Sequence, residues 1–146
     1  MQNNSITKIQ QQLEKYFDGL YFCDVDKLQD VFHSDATYIN ATDDPMLKLD
    51  MDTYFSIVGK RISSASQNQL RHDKVIAINL IHDQLAMVHV ECVIEFKYFY
   101  DALTLVQKQG EWKIISKVFH YQLLADQLSI FPKDNSIGKG ISDTQF

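Results

Sequence analysis

Apolar residues recur first at helical and then at strand spacing, and the change of period divides the chain. Ile6, Ile9, Leu13, Tyr16, Phe17 and Leu20 fall three or four residues apart, with Lys8, Gln11, Gln12, Glu14 and Lys15 between them. That pattern predicts an amphipathic helix capped by Ser5, or by Asn3 if it starts earlier. Gly19, near the end, should cost little at a closing turn. Asp24 can cap a second, shorter helix carrying Val25, Leu28, Val31 and Phe32, ended by His33-Ser34-Asp35. A short strand, Ala36 to Ala41, and the turn residues Thr42-Asp43-Asp44-Pro45 come next. Asp50 can cap a third helix from Met51 to about Ile62, and Ser63 to Asn68 reads as a loop.

From there the period is two. Lys74 to His82 alternates, and His82-Asp83-Gln84 makes a tight connection. Leu85 to Tyr100 reads as one long strand, with Ala86, Val88, Val90, Cys92, Ile94, Phe96 and Tyr98 on one face. A strand of that length is expected to bend at a bulge. Ala102 to Lys108 and Glu111 to Leu123 form a hairpin closed by Gln109-Gly110. Three helices before a strongly bent antiparallel sheet predict an α+β fold, its helices resting in the concavity and leaving a cone-shaped hollow. No repeat or second domain is visible. Residues 1–131 read as the domain, and 132–146, rich in Gly, Ser, Asp and Asn, as a polar tail.

Composition narrows the function classes. A chain of 146 residues can bury a core without staples. Its net charge of -5, with bases scattered among acids, argues against a nucleic-acid partner. Cys23 and Cys92 lack metal or redox spacing and read as free thiols. Neither a membrane span nor a secretory signal is expected, and a cytoplasmic location is. No phosphate loop, dinucleotide motif or nucleophile elbow occurs, so no cofactor is expected. His72, His82 and His89 lie on separate segments without ligand spacing, so no metal is expected either.

The runs Tyr16-Phe17-Asp18-Gly19-Leu20, Asp24 to Leu28 and Phe32-His33-Ser34-Asp35-Ala36 resemble the opening of nuclear transport factor 2-like (NTF2-like, cystatin-like) proteins. Tyr100-Asp101-Ala102-Leu103-Thr104-Leu105, Gly110-Glu111-Trp112-Lys113-Ile114 and Lys117-Val118-Phe119-His120 are similar in order and spacing to the lumazine-binding, SnoaL-like branch. The resemblance spans about Ile6 to Tyr121. It implies the cone fold and self-pairing through the outer sheet face. It leaves activity open, because the superfamily holds isomerases, dehydratases, cyclases, adaptors and pocket proteins. Ser34, Ala102 and Ser116 stand where the branch often has Pro, an aromatic and Asn.

Several residues could carry chemistry. Asp101 lies beside Phe96, Tyr98, Phe99 and Tyr100, where lost solvation would raise its pKa toward a range useful for proton transfer. A carboxyl of that kind serves enolisation in ketosteroid isomerase, a superfamily member; the plainer role is a strand start facing water. His33 is either an acid–base group or a helix C-terminal cap. Alternation puts His120 with Trp112, Ile114, Ser116 and Val118, and Lys117 on the opposite face unless a bulge intervenes; His120 is the one expected inside. Arg61 could grip an anion or form an ion pair with Asp35 or Asp101. Tyr16, Tyr38, Tyr54 and Trp112 are candidate pocket walls, or plain core. The leading expectation is a homodimeric protein binding an unknown apolar or aromatic small molecule. The alternatives are an isomerase, dehydratase or cyclase using Asp101 with His33 or His120, and an adaptor working through its outer sheet face.

Overall fold

Two aspartates fix where the second and third helices begin. Asp24 accepts from the Lys27 amide at 3.2 Å and Asp50 from the Thr53 amide at 2.9 Å, satisfying amides that the first turn leaves unpaired. The computed structural model describes residues 2–124. Helix α1 (Gln2–Phe22) is followed by α2 (Val25–Val31), β1 (Phe32–Asn40), β2 (Leu47–Leu49) and α3 (Met51–Lys60). A 3₁₀ turn, Ala65–Gln67, leads to β3 (Asp73–His82), β4 (Leu85–Ile94), β5 (Lys97–Lys108) and β6 (Glu111–Leu123). The polar tail expected from residue 132 lies outside the described residues.

Among the described residues the fold is α+β, three helices on one six-stranded sheet of order β2-β1-β6-β5-β4-β3. Its pairs are antiparallel except β1 with β6, which run parallel, so the sheet is mixed rather than wholly antiparallel. The α1 stripe behaves as its spacing predicts: Ile9, Leu13, Tyr16, Phe17 and Leu20 are buried against the sheet. The inner face of β4 is the expected Ala86, Val88, Val90, Cys92 and Ile94, all buried.

Four expectations need correction. First, Phe32 and His33 belong to β1, not to α2; the shorter helix ends at Val31 and the strand starts four residues early. Second, the stretch Leu85 to Tyr100 is a hairpin, not one bent strand. Glu95 (φ 55°) and Phe96 (φ 63°) are both left-handed, the backbone of a tight two-residue turn without the glycine that usually announces one. The turn resets the alternation, so Phe99, Asp101, Leu103 and Leu105 face inward, while Tyr98 packs with Val93 and Leu124 in a separate cluster.

Third, β6 carries a bulge. Thr104 pairs with Ser116 but Leu105 with Ile114, leaving Ile115 unmatched. Past this extra residue the faces swap, so Lys117, Phe119 and Tyr121 join Trp112 and Ile114 on the inside and His120 turns out. Fourth, Gly19 is not in a closing turn. Helix α1 runs on to Phe22, and Gly19 lies against Leu28 so closely that a Cβ there would stand 2.6 Å from the Leu28 Cδ2.

That contact gives a test. Overpacking costs about 1–3 kcal/mol, against roughly 1 kcal/mol of helix propensity gained by replacing glycine with alanine. Gly19→Ala is therefore expected to lower the urea midpoint, and a rise would show that Leu28 has room to move.

Candidate functional site

The concave sheet face, α1 and the end of α3 enclose a cavity of about 100 Å³. Asp101, Lys117 and Cys92, all buried, form its floor, while Arg61, Glu95, Lys97, Asp43 and Tyr121 stand at the more open rim. Aromatic rings make the wall between. Tyr38 lies 4.6 Å from Tyr54 and 5.0 Å from Phe119, centroid to centroid, and Phe119 lies 5.4 Å from Phe99. Such tilted and edge-on contacts hold each ring in place and keep a flat-sided space between them.

Asp101 sits mid-strand on β5, opposite Val90 on one side and Phe119 on the other. It is 1% exposed. The Tyr16 hydroxyl donates to its Oδ2 at 2.5 Å, and Oδ1 is buried with no partner among the described residues. Burial raises the Asp101 pKa above the usual carboxylate range, opposed by the positive charge of Lys117 and the bond from Tyr16. Tyr16 is itself pushed well above the ordinary tyrosine value, first by burial and then by the Asp101 charge, so it stays a donor.

Lys117 is the residue that sequence reasoning placed on the wrong face. It is 4% exposed, opposite Leu103 on β5 and beside Tyr38 on β1. Its Nζ lies 5.1 Å from the Tyr16 ring centroid, 5.3 Å from Phe119, 5.5 Å from Tyr38 and 5.6 Å from Tyr54. Four ring faces thus surround one ammonium, an arrangement that favours the cation. Its signal was in the sequence: Trp112 and Ile114 share one parity, Phe119 and Tyr121 the other, and only a phase change puts all four inside.

The remaining candidates divide. Tyr38, Tyr54 and Arg61 line the cavity, and the buried Tyr54 hydroxyl has no hydrogen-bond partner among the described residues. Arg61 is at the rim, its Nε 3.9 Å from Glu95, not paired with Asp35 or Asp101. Tyr16 stands behind the floor and reaches the site through Asp101. Trp112 is core away from the cavity, its carbonyl accepting from Gln12 at 2.7 Å. His33 is half-buried on β1, where its Nδ1 accepts from the Asp35 amide at 3.0 Å; Phe32, not His33, holds the C-cap position of α2. His120 is exposed on the outer side, 2.8 Å from the Thr42 hydroxyl. Neither imidazole lines the cavity. Among the described residues no cluster of acidic, His or Cys side chains could hold a metal.

A family model described as "Putative lumazine-binding" matches residues 4–120. The chain belongs to this family. Solved structures described as NTF2-like share its fold. An NTF2-like protein of unknown function from Silicibacter pomeroyi DSS-3 superposes with a TM-score of 0.75 at 20% identity, covering 84% of this chain and 99% of that one. Another, from Shewanella baltica OS155, gives 0.73 at 19%, with 84% and 97% covered. A ketosteroid isomerase-like protein from Erwinia carotovora atroseptica SCRI1043 gives 0.64 at 10%, with 82% and 97% covered. At these identities the likeness is one of fold. No curated protein matches the chain.

The Asp101 environment has a consequence for stability. A carboxyl whose pKa is raised by folding binds its proton more tightly in the native state, so it contributes stability in acid that is lost as pH rises through the folded pKa. Asp101→Asn keeps an acceptor for Tyr16 and removes that loss. The variant is expected to gain on the wild type as pH rises above about 4, the unfolded carboxylate value. Thermal unfolding across pH checks this; a gap that shrinks with rising pH would contradict it.

Proposed function

We propose that this protein binds a small molecule with a flat ring, seated between Tyr38, Tyr54, Phe99 and Phe119. The observation that carries the reading is the cavity itself: aromatic walls around a few convergent polar groups, the usual make-up of a ligand site. Its volume suits one ring, with any larger body projecting past Arg61 and Glu95 at the rim. The family's description, naming a heterocycle, supports the same reading. No helix among the described residues is long and apolar enough to cross a membrane, and a cytoplasmic location is part of the proposal.

A second reading, an isomerase- or dehydratase-like enzyme, is favoured by the buried Asp101 and its unpartnered Oδ1. In that case the partner of Asp101 is Lys117, since His33 and His120 lie elsewhere. We also propose that two copies pair through the outer sheet face, where Met87 is 52% exposed. An adaptor would leave that face open to other chains.

Two measurements follow. Soaking concentrations of single-ring aromatic and heterocyclic compounds are expected to raise the melting temperature, and Ile94→Trp, which fills the cavity from its wall, is expected to abolish the rise. No stabilisation by any such compound would count against the pocket. Sedimentation of the intact chain is expected to give a dimer that Met87→Glu weakens; a monomer at all concentrations would remove the self-pairing proposal.

A further inference from the structure

The cavity floor holds a positive charge without a counterion. Lys117 makes no hydrogen bond or ion pair among the described residues, although Asp101 sits on the neighbouring strand. Ring faces stabilise its charge but accept none of its N–H groups in an ordinary hydrogen bond. An ammonium this deeply buried normally has an oxygen partner.

The other free groups facing the same space are donors or become donors. The Tyr54 hydroxyl is buried and unpartnered, and burial holds it in its protonated form. Asp101 has Oδ2 engaged by Tyr16, so a proton on this carboxyl goes to the free Oδ1. Burial, and to a lesser degree the Glu91 charge, push the carboxyl toward that state, against the pull of Lys117, Tyr16 and His89. The Asp43 and Glu95 carboxylates stand at the rim, engaged by Asn40 and Tyr121 and by Arg61, so a floor of donors is matched by a group that only accepts.

We infer that the cavity takes a small planar ligand bearing an oxyanion, such as an aromatic carboxylate, its oxygens held by the Lys117 ammonium, the Tyr54 hydroxyl and the free oxygen of the Asp101 carboxyl. This rests on the reading of the cavity as a small-molecule pocket and adds the ligand's charge and polar end. Binding then forms no covalent bond to the ligand; where Asp101 was ionised beforehand, its carboxylate takes one proton from the solvent.

Calorimetry with benzoate and its neutral isostere benzamide tests the proposal on the intact chain. Benzoate is expected to bind about tenfold or more tightly than benzamide, in line with a charge-assisted hydrogen bond. Its affinity should fall as pH rises through the Asp101 pKa, with heats that depend on buffer in the sense of proton uptake. Lys117→Gln should lose the preference for benzoate while still binding benzamide, which shows the pocket intact. Asp101→Asn, whose amide donates at every pH, should bind benzoate without that fall. Benzamide bound as tightly as benzoate, or a benzoate affinity unchanged in Lys117→Gln or independent of pH in the wild type, would overturn the proposal while leaving the pocket standing. Failure of both probes would remove the pocket as well.

Discussion

Thr104 pairs with Ser116 and Leu105 with Ile114, so Ile115 has no partner across the β5–β6 ladder, and the alternation of β6 restarts after it. Side chains on a strand change face with every residue, so one added residue exchanges everything downstream. Without the bulge Lys117 would face outward and His120 would turn to the inner face, opposite Phe99. With it the floor of the cavity holds a carboxyl and an ammonium that are not bonded to each other, and the imidazole is left against Thr42. The bulge therefore decides which chemistry the hollow contains, and it does so from backbone pairing alone.

The site also departs from the rule that a core is apolar. Asp101, Lys117 and Tyr16 stand among Leu103, Leu105 and Val90, where unpaired polar groups are costly. One direct bond, Tyr16 to Asp101, ties the first helix to the middle of the sheet. Asp101 Oδ1 and the nearby Tyr54 hydroxyl have no partner among the described residues. Residues kept in such a state at a cavity are more readily explained by what they recognise than by what they stabilise.

Much of the architecture was legible because it rests on period and caps. The α1 stripe, the Asp24 and Asp50 caps and the inner face of β4 all follow from spacing and from short acceptor side chains. The Glu95-Phe96 turn was not, because left-handed backbone at glutamate and phenylalanine leaves no compositional mark. Nor was the parallel pairing of β1 with β6, which is a property of topology rather than of either segment. At the site, Asp101, Tyr38 and Tyr54 were readable from their aromatic neighbourhood. Lys117 was hidden by the bulge, although the mixed parity of Trp112, Ile114, Phe119 and Tyr121 encodes it. Arg61 was found as a cation, but its partner across the rim, Glu95, depends on the turn that the sequence conceals.

The pairing of β1 with β6 also bears on how the chain comes to be folded. Tyr38 and Lys117 are neighbours across that pair, yet more than half of the described chain is synthesised between them. Contacts that distant in sequence form late and slowly. On the ribosome, the helices and β1 must therefore wait, with one strand edge uncovered, until the final hairpin emerges. The binding hollow has no early, partial form: its floor arrives with the last strand.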